Sequence, residues 1–364
     1  MPDGSIGVGT EGHQVEQVGR NVFATSKKDK PGPFVKVQPE YVGSSESPFV
    51  QAYMYKRLRT YLRMPNVRLT GKLEPMTKQT LFIEPANGER ADRALLHQPE
   101  NFSRAASKFV HDEAKMWKET AHKVSEIEEL PRRNVIEGMR EDSVKTIESF
   151  LRSKETQTLL DLPIVINGRS YQSLREICSE CLELLRTQND PVVVLGHGDE
   201  HLLNLFVDGQ GEEANYQIID PRRRLTRRSP AHVINNFLGT SLLFVVDYDR
   251  PTLEVVQANG RQELQMNYRV STGNTNAYER VLTVARDLNI EMENLGAGDF
   301  MTKEYLFANL IRSYIRRVAV KNEGVSDKNR IAHLAEAVEI YSDFSGFLNG
   351  NHSEDNAKQS DVTP

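Results

Sequence analysis

The residues with the clearest chemical content stand in one run, Gly196-His197-Gly198-Asp199-Glu200-His201-Leu202-Leu203-Asn204. Apolar Val192-Val193-Val194-Leu195 precedes it and Leu205-Phe206-Val207 follows, so a polar loop is expected between two strands. A turn containing Gly209 and Gly211 then leads to Tyr216-Gln217-Ile218-Ile219 and Asp220-Pro221, which predicts a hairpin ending on a carboxylate. Phosphoryl transfer needs such a set: one carboxylate to accept or orient a hydroxyl, and an amide oxygen with a second carboxylate to hold Mg²⁺, a hard cation that takes oxygen ligands. Asp199, Asn204 and Asp220 can supply these groups from adjacent strands of the hairpin. The plainer reading is a polar surface loop in which His197 and Asp199 cap turns. It requires the motif residues, the flanking strands and the downstream Ile-Ile-Asp to coincide by chance.

The spacing His-x-Asp-x-x-x-x-Asn matches the catalytic loop of protein kinases. The fuller string His197-Gly198-Asp199-Glu200-His201-Leu202-Leu203-Asn204 resembles the aminoglycoside phosphotransferase and choline kinase branch of the kinase-like superfamily, whose members read His-Gly-Asp-x-His-x-x-Asn. Asp220 is followed by Pro221-Arg222 rather than Phe-Gly, which favours the small-molecule branch over the protein kinases. The resemblance implies an α+β, bilobal, protein-kinase-like fold, with a small β-rich lobe over about 15–88 and a larger, mainly helical lobe over 89–348. It implies catalysis by Asp199 with His197, Mg²⁺ on Asn204 and Asp220, ATP as donor, and a hydroxylated small molecule as acceptor. His201 is expected to order the loop rather than to bind metal.

In the same resemblance Gly19-Arg20-Asn21-Val22-Phe23 looks like the nucleotide loop. Lys36, in Phe34-Val35-Lys36-Val37, takes the place of the strand lysine that contacts the phosphates. Thr80-Leu81-Phe82-Ile83-Glu84-Pro85 looks like the hinge whose backbone meets adenine, with Asn87-Gly88 opening the second lobe. The pattern is departed from twice. The helix after Lys36 offers Gln51 where a lysine-pairing Glu is usual, and Pro230–Asn236 lacks the Asp that family members tend to carry there. These departures motivate an alternative, a kinase-like nucleotide-binding protein with weak or lost catalysis.

The elements that must position these residues are partly visible. Asn21–Thr25 and Phe34–Val37 read as a hairpin across Ser26–Pro33. Pro48–Leu62 has helical periodicity, with Phe49, Ala52, Tyr55, Leu58 and Leu62 on one face. Helices are predicted around Phe102–Trp117, Val144–Leu151, Leu174–Leu185, Met301–Val320 and Asn329–Leu348. The stretch Leu253–Val270 mixes strand and helix character. Residues 1–14 and the tail 349–364 are polar and expected to be disordered.

Composition narrows the function classes. A chain of 364 residues with a formal net charge of -5 is a poor candidate for broad nucleic-acid binding. No apolar run is long enough for a membrane span, and the first residues lack a signal-peptide pattern, so a cytoplasmic location is expected. The two cysteines, Cys178 and Cys181, fall within a helical pattern without further ligands at zinc spacing, and read as ordinary thiols. Arg222, Arg223, Arg224, Arg227 and Arg228 form a basic run. It reads either as a solvated loop or as a site for an anionic acceptor or a phosphate at the mouth of the active site. His13, His97, His111, His122 and His333 read as surface or packing residues.

Overall fold

The computed structural model describes residues 14–19, 22–27, 30–31, 34–37, 48–70, 80–123, 136–154, 156–188, 190, 192–221, 227–296, 301–315 and 329–349, of which 14–51, 68–82, 136–137 and 227 in backbone only. The chain divides into two compact units, Met1–Asn87 with Gln217–Leu225, and Gly88–Tyr216 with Thr226–Pro364.

Among its described residues the small unit is an antiparallel sheet and one helix. Its strands are β1 (Gln14–Gly19), β2 (Val22–Lys27), β3 (Lys30–Pro31), β4 (Phe34–Val37), β5 (Val67–Thr70) and β6 (Thr80–Ile83), in the order β1-β2-β4-β6-β5 with β3 beside β2. The expected hairpin is present, with Val22 opposite Lys36 and Phe23 opposite Val35. Lys36 also faces Leu81 across β6, so it lies on a strand paired on both sides. Helix α1 (Pro48–Leu58) follows β4 and buries Met54, Tyr55 and Leu58 completely. It stops short of Leu62 because the N–H groups of Tyr61 and Leu62 both donate to the Leu58 carbonyl, which closes the last turn. Leu62 is nonetheless buried.

The larger unit opens with β7 (Glu89–Arg90), α2 (Ala91–His97), α3 (Pro99–Thr120), β8 (His122–Lys123) and α4 (Ile136–Arg152). Next come β9 (Ile164–Ile166), β10 (Arg169–Tyr171), α5 (Leu174–Thr187), β11 (Val192–Leu195), β12 (Leu205–Asp208) and β13 (Asn215–Ile218), whose last two residues belong to the small unit. It ends with β14 (Arg227–Arg228), α6 (Ala231–Phe244), β15 (Tyr248–Ala258), β16 (Arg261–Val270), α7 (Thr275–Asn294), α8 (Thr302–Ile315), α9 (Asn329–Ser342) and α10 (Phe344–Leu348). Three short sheets have the orders β14-β11-β8, β13-β12-β7 and β10-β9-β16-β15. Helix α3 turns Phe102, Ala105, Ala106, Phe109 and Trp117 into the core, as their spacing predicts. Helix α5 starts on a capping box formed by Ser173 and Glu176.

Leu253–Val270, ambiguous in sequence, lies within the long β15–β16 hairpin. Asn259 and Gly260 close it with φ of 52° and 79°, the left-handed pair that a tight hairpin turn requires. Gly88, at the expected opening of the second lobe, has φ +87°, and a Cβ there would stand 1.9 Å from the Val207 carbonyl oxygen. Cys178 and Cys181 are buried and unbridged on α5, and burial pushes the Cys178 thiol up to about 12, as suits ordinary helical thiols. Among the described residues no helix is long and apolar enough to cross a membrane.

Candidate active site

Strand β11 is Val-Val-Val-Leu and is buried at all four positions. It therefore anchors the polar run that follows. Along that run, burial sorts the residues by role. His197, Glu200 and Leu202 have 0% exposure and face the interior, whereas the side chains of Asp199 and His201 keep 28% and 16%. The outward group forms one cluster. The Asn204 amide nitrogen lies 3.1 Å from the Asp199 carbonyl oxygen, 3.1 Å from Asp199 Oδ2 and 3.1 Å from His201 Nε2. His201 Nε2 is 3.5 Å from Asp199 Oδ2, and the Asn204 N–H donates to the His201 carbonyl at 2.9 Å. Because Nδ2 makes the contacts, the amide presents Oδ1 as its remaining group. That hard oxygen suits Mg²⁺, which binds through one or two carboxylates plus substrate phosphates rather than a dedicated cage. Among the described residues no group of three or more His, Cys, Asp or Glu side chains is arranged to hold a metal ion.

Beneath the cluster lies a buried polar layer that the motif did not announce. Strand β14 pairs with β11, Arg228 opposite Val194, and this carries Arg228 under the loop at 2% exposure. Its Nη1 donates to the Gly198 carbonyl at 3.2 Å and lies 2.6 Å from His232 Nε2. Asn236, one turn after His232 on α6, donates to the same carbonyl at 3.3 Å. The Gly198 N–H donates to Glu200 Oε1 at 2.5 Å. Burial alone would push the Glu200 carboxyl up. The imidazoles of His197 and His232, the guanidinium of Arg228 and the Gly198 N–H more than offset this and hold it below the usual range. Glu113, on α3, goes the other way: burial, then the charge of Glu200, pushes it well above the usual range.

Solved structures resemble the chain, although neither a family model nor a curated protein matches it. The apo form of a thermostable mutant of aminoglycoside phosphotransferase APH(4)-Ia aligns with a TM-score of 0.50 at 11% identity, covering 92% of this chain and 95% of that one. A thermostable mutant of the same enzyme in ternary complex with ADP and hygromycin B aligns at 0.48 and 10%, covering 92% and 94%. An aminoglycoside phosphotransferase from Alicyclobacillus acidocaldarius aligns at 0.46 and 11%, covering 93% and 92%. The chain has the fold of the aminoglycoside phosphotransferases. At these identities the likeness is one of fold, and it agrees with the bilobal, kinase-like architecture expected from the His197–Asn204 motif.

The remaining candidate residues fall as follows. Asp220 lies just past β13 in the small unit, exposed, with φ +57°, and its N–H donates to the hydroxyl of Tyr55 at 3.0 Å. Glu84 follows β6. Its N–H donates to the Asn66 carbonyl at 2.9 Å and its carboxylate accepts from the Asn66 amide at 2.7 Å. Gly19, Lys36, Gln51 and Phe82 are placed by their backbones, at the end of β1, on β4, in α1 and on β6. Asn21 and Arg222 lie outside the described residues, as do the tail from 350, Arg223 and Arg224. Arg228 fits neither reading of the basic run: it is buried, because pairing of β14 with β11 draws it under the loop. Glu113, Glu200, His232, Asn236 and Tyr55 carried no motif signal.

Proposed function

We propose that this protein is an ATP- and Mg²⁺-dependent phosphotransferase that acts on a hydroxyl group of a small molecule. The observation that carries the reading is the outward cluster of Asp199, His201 and Asn204 on a loop whose inner residues are buried. In this reading Asp199 accepts or orients the proton of the acceptor hydroxyl. His197 and the buried layer hold the loop rigid, so that little reorganisation accompanies the reaction. Asn204 and Asp220 would hold Mg²⁺, which supplies neutralisation of phosphate charge when bound. Lys36 would contact the phosphates, and the backbone at Phe82 and Glu84 would meet adenine, with Gly19 and Asn21 in the nucleotide loop. The aminoglycoside phosphotransferase fold supports phosphoryl transfer at the level of fold analogy and leaves the acceptor open.

The test is a screen of hydroxylated small molecules with γ-labelled ATP, with and without Mg²⁺. Mg²⁺-dependent transfer of label to an acceptor supports the proposal. A thermal shift with ATP but no transfer to any acceptor would instead favour a nucleotide-binding protein with weak or lost catalysis, the reading that Gln51 motivates.

A further inference from the structure

The small unit holds Asp220 in a way that its own sequence neighbourhood does not explain. Strand β13 ends at Ile218, so the sheet no longer serves the backbone beyond it. The segment is instead tied at three points within the unit. The Asn87 N–H donates to Gln217 Oε1 at 2.9 Å, and the Ile218 N–H donates to the Arg63 carbonyl at 2.8 Å. The Asp220 N–H donates to the Tyr55 hydroxyl at 3.0 Å. Asp220 sits at φ +57°, in the left-handed region, which is uncommon for a residue with a side chain and least so for Asp and Asn. Tyr55 is completely buried in α1, with a rigid ring and a single polar atom. Tyr55 is also four residues after Gln51 on the same helix.

We propose that Tyr55 is a positioning residue for Asp220: by accepting the Asp220 N–H it fixes the left-handed turn that carries the carboxylate, and thereby sets how strongly Mg²⁺ promotes nucleotide binding. The proposal rests on the reading of Asp220 as a Mg²⁺ ligand. Removal of the hydroxyl leaves the ring and its packing in place but frees the turn to relax. The Asp220 carboxylate is then correctly placed only part of the time, and the apparent Mg²⁺ affinity falls by that fraction. ATP binding without metal does not depend on Asp220 and is unchanged.

The experiment is a titration of Mg²⁺ into the full chain with ATP, reading nucleotide affinity by calorimetry for the wild type, Tyr55→Phe and Asp220→Asn. The expected result for Tyr55→Phe is about a tenfold rise in the Mg²⁺ concentration for half-maximal effect, with metal-free ATP affinity within about twofold of wild type. Faster amide exchange at Asp220 in that variant would accompany it. A Mg²⁺ dependence unchanged in Tyr55→Phe but weakened in Asp220→Asn overturns the role of Tyr55 and leaves Asp220 as a ligand. A dependence unchanged in both variants overturns the reading of Asp220 itself. If Tyr55→Phe does not fold, 3,5-difluorotyrosine at position 55 keeps the shape and weakens the oxygen as an acceptor. An unchanged Mg²⁺ midpoint in that protein likewise overturns the proposal.

Discussion

The guanidinium of Arg228 lies against the backbone of Gly198, so close that a Cβ on that glycine would stand 2.2 Å from Arg228 Cζ. Gly198 also has φ +84°. The middle residue of His-Gly-Asp is thus suited to glycine by its left-handed conformation, and a side chain there would also have to displace the end of the buried Arg228 side chain. Gly198→Ala is expected to cost at least about 2 kcal/mol, since the left-handed conformation and the displacement of Arg228 add. Chemical denaturation of the variant beside wild type measures it. A loss under about 0.5 kcal/mol would mean that the loop backbone is not held in this way.

Arg228 and Glu200 belong to one charge layer, and removal of Arg228 takes away one of the groups, beside His197, His232 and the Gly198 N–H, that offset burial of the Glu200 carboxylate. Arg228→Met is expected to destabilise by about 3 kcal/mol. The double variant with Glu200→Gln is expected to recover part of that loss, because the buried carboxylate charge that Arg228 helps to offset is gone. A double-mutant cycle by urea denaturation reads the coupling, and strict additivity would contradict a shared layer.

Glu113 should behave differently from Glu200, though both are fully buried. Burial and the charge of Glu200 push its carboxyl well above the usual range. A group raised on folding contributes stability that is fully present below its unfolded pKa and lost as pH rises through the folded value. Glu113→Gln, neutral and of similar shape, removes that dependence. The variant is expected to gain stability relative to wild type as pH rises from the ordinary carboxyl value of 4.5 toward the raised one. Thermal melts across pH 5 to 9 test the sign.

His333 gives the opposite slope. It is fully buried, with its ring edge-on to Tyr248 at 5.8 Å, and burial lowers it to about 4. A group lowered on folding contributes stability present above its unfolded pKa and lost as pH falls through the folded value. The window therefore runs from about 6.5 down to about 4, and the loss across it is about 3 kcal/mol. His333→Gln should flatten the stability profile over this window, whatever its effect at neutral pH. An identical slope in wild type and variant would show that His333 does not carry it.

The loop was legible in the sequence because it is local: His197 to Asn204 lie in one short polar run between the apolar strands β11 and β12. The layer beneath was not, because it is assembled from distant segments. Arg228 arrives through the pairing of β14 with β11, His232 and Asn236 through the first turns of α6, and Glu113 through α3. Glu200, within the loop itself, belongs to this layer through its buried carboxylate, which accepts from the Gly198 N–H. Tyr55 looked like one more apolar-face residue of α1, and its hydroxyl gained meaning only when Asp220, 165 positions later, was found against it. The β15–β16 hairpin was missed although Asn259-Gly260 is a strong turn signal, because its strands alternate too weakly to stand out from the charged residues around them.

The most direct test of phosphoryl transfer at this loop is Mg²⁺-dependent phosphate release from ATP, with and without hydroxylated acceptors, in wild type and Asp199→Ala. Turnover in the variant is expected to fall by about a thousandfold, with fold and ATP binding retained. Turnover at the wild-type rate in Asp199→Ala would contradict the assignment.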